Sequence, residues 1–85
     1  MEIRLDGNRI LDRTSLSLYM EEVFGVRITN LDWLYDHLTD VNEDIVIKID
    51  QENLKIICKS DFAFKVLMVL GNSAENNEKI LIKFI

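Results

Sequence analysis

Three short strand-type runs, "EIRL", "DIVIKI" and "KILIKFI", are separated from one another by segments with helical patterning. This spacing constrains the fold more than any other feature of the chain. A strand followed by a helix and then another strand pairs in parallel, through a right-handed crossover. "EIRL" alternates polar and apolar residues and stops at the turn signal "DGN". "DIVIKI" is nearly continuous and β-branched, the pattern of a strand covered on both faces.

The segments between the strands read as helices. In "DRTSLSLYMEEVFG", Thr14 or Ser15 is expected to cap the first turn, Leu16, Met20, Val23 and Phe24 recur at helical spacing, and Gly25 ends the run. In "NLDWLYDHLTD", Thr29 or Asn30 caps, and Leu31, Leu34, Tyr35 and Leu38 form one apolar stripe. "QENLKIICK" fits either a helix or a strand. Ser60 caps "DFAFKVLMVL", a largely enclosed helix with the inner stripe Ala63, Val66, Leu67 and Leu70; Gly71 is expected to end it, leaving "NSAENNE" as a solvated loop. Phe62, Phe64 and Met68 read as core, and Cys58 as a buried, inert thiol.

Charge is distributed unevenly along this pattern. From Ile28 to Ile47 there are five acids (Asp32, Asp36, Asp40, Glu43, Asp44) and no Lys or Arg, whereas the remainder holds ten of each sign. The net charge of −5 therefore resides in one segment. Asp32, Asp36 and Asp40 lie four residues apart on one helix, where neighbouring like charges repel by a few tenths of a kcal/mol per pair. Asp32 has a structural reason, because an anion in the first turn complements the helix dipole. Asp36 has none, and aspartate is a poor helix former at such a position. Local inconsistency of this kind marks sites. Trp33 lies about 150° around the helix from the apolar stripe. It is read either as an exposed anchor or as a ring covered by the loop around Arg27.

Several function classes are excluded or disfavoured. Acidic balance argues against nucleic acid and for a basic partner. His37 beside Asp36 and Asp40 provides too few ligands for zinc, calcium loops need another spacing, and no nucleophile accompanies it, so neither a metal, a cofactor nor an enzymatic role is expected. The apolar runs are too short to span a membrane, and a single cysteine with no secretory signal leads to the expectation of a cytoplasmic protein. The 85 residues make a single domain, expected to be monomeric when free.

The segment "NLDWLYDHLT" resembles the barstar family, small intracellular inhibitors of secreted microbial ribonucleases, at each position of that family's Asn-Leu-Asp-x-Leu-x-Asp-x-Leu-Thr helix. "LDGNRI", "TSLSLYMEEV", "IVIKI" and "ILIKFI" extend the resemblance over residues 1–85. It implies a two-layer α/β fold with a three-stranded parallel sheet in order 1-2-3 and three to four helices. It further implies inhibition by occlusion of a barnase-like ribonuclease, with Asp32 and Asp36 in contact with the nuclease and Asn30, Leu31 and Tyr35 at its edge. Trp33, Arg27 and Asp40 join them by position. The chain departs from the family in having "VRI" (Val26, Arg27, Ile28) for a Tyr-Tyr-Gly loop, Val41 for an aromatic, and Asn72 for an acid, with Glu75 the nearest carboxylate. These departures leave an alternative: an interaction or regulatory module of the same fold that has lost the nuclease target.

Overall fold

The computed structural model describes residues 1–85. Its elements run β1 (Glu2–Arg4), a 3-10 turn (Gly7–Arg9), α1 (Arg13–Phe24), α2 (Leu31–Asp40), β2 (Ile45–Ile49), α3 (Gln51–Cys58), α4 (Asp61–Asn76) and β3 (Ile80–Phe84). The three strands form one parallel sheet in order β1-β2-β3, with Ile3 beside Ile47 and Ile47 beside Ile82. The parallel pairing is that expected from the spacing of the strand runs, the order is that implied by the barstar resemblance, and the ambiguous segment "QENLKIIC" is helical.

Both crossovers step across the sheet in the same direction. With the usual right-handed connection, the helices of both must then lie on the same face. Burial follows suit. Ile45, Ile47 and Ile49 are buried under the helices, whereas Val46 and Lys48 on the other face are only half-buried. The β-branched run of β2 therefore did not signal cover on both faces, because here it marks the central strand of a one-sided sheet. The open face carries an ion pair between Lys48 Nζ and Glu2 Oε1 at 2.7 Å.

Each helix begins on a side-chain acceptor. Asp12, Asn30, Asp50 and Ser60 accept from the backbone N–H three residues on. Asp12, two or three residues earlier than expected, replaces Thr14 or Ser15 as the cap of α1, its Oδ1 lying 2.8 Å from Ser15 N. Gly25 ends α1 in the left-handed region at φ 71°, where a side chain would be strained. Gly71 ends nothing. α4 continues through it to Asn76, Ser73 is fully buried with its hydroxyl donating to Val69 O at 2.8 Å, and most of the expected loop is helix. The loop expectation failed because polar residues past a glycine can extend a helix whose inner face still meets the core.

Two further expectations change. Cys58 is exposed at the end of α3. α4 is not enclosed, since Phe64 and Met68 face outward and only Phe62 of that group packs on the core. Gly7 is buried against α3, where an added Cβ would lie 3.0 Å from Asn53 O; its own N–H donates to Asn53 Oδ1 at 2.7 Å. Tyr19 joins α1 to β1, its buried hydroxyl donating to Arg4 O and accepting from Asp6 N, both at 3.1 Å.

Candidate functional site

α2 places the acidic segment on the surface. Leu34 and Leu38 are fully buried against the core and α2 packs on α4, which fixes which side of the helix faces solvent. On the outer side stand Asp32, Asp36 and Asp40, all exposed. One helical turn separates each from the next, so the row is about 12 Å long. No Lys, Arg or His nitrogen lies within ion-pair distance of any of the three; the ion pairs of the chain are Arg9–Glu22, Arg27–Glu21 and Lys48–Glu2. Their side chains accept no intramolecular hydrogen bond either. Apart from the helix dipole at Asp32, the row has no cationic partner within the chain.

Asn30 Oδ1 accepts from Trp33 N at 2.7 Å, which starts the helix and sets the direction of its first turn. The indole of Trp33 is 48% exposed, so no loop covers it. Asn30, Asp32, Trp33, Asp36, His37 and Asp40 together line an open concavity of about 520 Å³. His37 is half-buried and set edge-on against Phe24, with ring centroids 5.2 Å apart, so the last turn of α1 supports that side of the site. The sequence had shown His37 only as an incomplete metal or base motif. Its spacing of four residues from Trp33 was the signal that both rings share one face. No three of the His, Cys, Asp and Glu side chains converge as metal ligands.

The other candidates lie elsewhere. Leu31 and Tyr35 are half-buried on the core side of α2, Leu31 packing against the core itself. Arg27 is turned to α1, 3.5 Å from Glu21 Oε2, and borders a separate hollow with Arg13, Ser17 and Thr29. Its neighbour Ile28 is fully buried. Asn72 and Glu75 are exposed on α4 but do not line the concavity, and Glu75 borders a groove between α4 and β3.

What the ridge can do chemically follows from these facts. It can accept charge-assisted hydrogen bonds from cations, which arginine makes in bidentate form, and it offers an aromatic face beside them. Comparison with family models gives no match. A search of curated proteins gives none either.

Proposed function

We propose that this chain is a protein inhibitor of a barnase-like ribonuclease, occluding the nuclease active site with α2 and performing no chemistry of its own. The observation that carries the reading is the exposed, uncompensated row Asp32, Asp36 and Asp40 around Trp33. A ribonuclease must hold RNA phosphates, so its cleft is lined with cations. Carboxylates on a rigid helix substitute for those phosphates, and the helix is already ordered, which keeps the entropic cost of binding low. The resemblance of "NLDWLYDHLT" to the barstar helix supports the same reading. The partner is then a basic, secreted-type ribonuclease, and the inhibitor acts in the cytoplasm of the producing cell. No helix of the chain is long and apolar enough to cross a membrane.

A second reading has one observation in its favour. Where the family has a Tyr-Tyr-Gly loop this chain has Val26, Arg27 and Ile28, and here Ile28 is core while Arg27 pairs with α1. A module of this fold that binds a basic protein other than a ribonuclease would use the same ridge without that loop.

Stopped-flow association with barnase and other basic microbial ribonucleases tests the reading, with RNA cleavage as the parallel readout. Inhibition is expected, with the association rate falling steeply between about 0.01 M and 0.5 M salt while the dissociation rate changes little. Failure to inhibit any of them, with salt-sensitive binding to another basic protein, selects the second reading. An association rate insensitive to salt overturns both.

A further inference from the structure

β3 is an edge strand, and its outer side is unpaired in the chain. The bonds to β2, such as Ile45 N to Lys79 O and Ile85 N to Ile49 O, direct the backbone groups of the odd-numbered residues inward. Those of Ile80, Ile82 and Phe84 therefore point away from the sheet. Of these, only the N–H of Ile80 has a partner, Asn77 O at 3.0 Å. Beside this edge runs a groove of about 420 Å³ between β3 and α4, lined by Leu67, Gly71, Ala74, Ile80, Ile82 and Phe84 among others. Phe84 is 61% exposed at its end.

Gly71 is the second observation. It lies inside α4, where glycine is the poorest residue other than proline. It has no positive φ, and an added Cβ would meet nothing within 4 Å. Nothing within the chain requires glycine there. A side chain entering the groove from outside would.

We infer that β3 pairs antiparallel with β3 of a second copy of this chain, forming a two-fold homodimer with a continuous six-stranded sheet and with Phe84 of each copy seated in the groove beside Gly71 of the other. The free groups and the charges select the register. With Ile82 opposite Ile82 of the partner subunit, the two residues exchange both backbone bonds, and the N–H of Phe84 meets the free carbonyl of Ile80 in each direction. Phe84 then faces Ile80 of the partner subunit on the helical side, an aromatic against a β-branched residue. On the open side, Lys83 faces Leu81 and Lys79 faces Ile85, so no lysine stands opposite another. Moving the two-fold axis to Lys83 sets two lysines face to face. Moving it to Leu81 opposes Lys79 to Lys83 and leaves the N–H of Phe84 without its carbonyl. Like charges directly opposite destabilise a strand pair. This dimer departs from the monomer expected from the sequence. It is independent of the ribonuclease reading, since the ridge and this edge share no lining residue.

A single strand pair and two ring contacts make a small interface, so the expected Kd is about 10–100 µM. Sedimentation equilibrium of the whole chain from about 1 to 500 µM should show the dimer forming across that range. Phe84→Lys and Gly71→Gln should each raise Kd at least about tenfold, while Gly71→Gln melts no lower than the parent. For the register, Leu81→Cys and Lys83→Cys are made separately in a Cys58→Ser background and oxidised alone and mixed. Only the mixture should yield a disulfide-linked dimer, because Leu81 and Lys83 form a closely spaced pair across the seam. A chain still monomeric at the highest concentration, or a dimer unaffected by Phe84→Lys, overturns the proposal. Crosslinking of either variant with itself alone overturns the register.

Discussion

Asn77 Nδ2 donates to the carbonyl oxygen of Leu38 at 2.9 Å and to that of Val41 at 3.1 Å, so the residue after α4 caps the far end of the helix that carries the acidic row. The last carbonyls of a helix have no partner inside it. Here a carboxamide from a distant part of the chain supplies the donor, while Asn77 Oδ1 accepts from Lys79 N at 3.1 Å and fixes the turn into β3. One side chain thus holds α2, α4 and β3 together.

Replacing Asn77 with alanine should lower stability by about 1–3 kcal/mol, since two part-buried carbonyls lose their donor. Asn77→Asp should cost at least as much, because it keeps the shape, removes the donor and adds charge near carbonyl oxygens. Urea midpoints give the size. Hydrogen exchange gives the place, with protection lost first at the C-terminal turn of α2.

Asp50 makes part of the stability of the fold depend on pH. Its carboxylate accepts from Asn53 N at 2.8 Å and Asn53 Nδ2 at 3.0 Å, and these bonds hold its pKa below the ordinary carboxylate value. A depressed pKa in the folded state means that the unfolded chain binds the proton first. The stabilisation is therefore present above the unfolded pKa and is lost as pH falls through the folded one. Asp50→Asn should be destabilising at neutral pH, and the gap from the parent should narrow as pH falls below about 4. Urea midpoints from neutral pH to pH 3 measure it; a constant gap would mean that the bonds do not depend on the charge.

Arg27 and Ile28 adjoin in sequence and should behave as opposites. Arg27 is exposed and its ion pair is long, so Arg27→Ala should change stability by less than about 0.5 kcal/mol. Ile28 is fully buried, and Ile28→Ala should cost about 2–5 kcal/mol through lost burial and the cavity left behind. Thermal melts of the two variants decide this. Exchanging "VRI" for an aromatic-glycine loop would therefore remove the buried Ile28 side chain from the core.

These residues show where sequence reasoning reached and where it stopped. Asn30, Leu34 and Leu38 were legible because capping and helical periodicity are local, and together they determine which side of α2 is exposed. Parallel pairing was legible because helix-length connections join the strands, whereas the order 1-2-3 was implied by the barstar resemblance. Ile28, Phe64 and Cys58 were not, since each lies where burial depends on which distant element packs nearby. Gly71 misled because a glycine after an apolar run is a common helix end, and only the buried face of Ser73 shows that this helix continues.

Asp36 separates folding from binding. It is exposed, without a cationic partner, and one turn from Asp32 and Asp40, so the fold gains nothing from its carboxylate. Asp36→Ala removes two repulsive neighbours and improves helix propensity, and the free domain should become more stable by about 0.5–1 kcal/mol. In the proposed complex with a nuclease, the same change would leave a cation of the partner desolvated and unpaired. That should cost at least about 2 kcal/mol of affinity, a loss of about thirtyfold. Asp36→Asn sharpens the test, since it keeps the size of the side chain and removes only the charge; it should lose nearly as much binding. Denaturant midpoints of the free proteins check the first half, and titration of ribonuclease activity checks the second. If Asp36→Ala unfolds more easily than the parent, the carboxylate has a structural role and the ridge is part of the fold. If stability rises and inhibition is unchanged, the ridge is solvated surface and the nuclease is bound elsewhere.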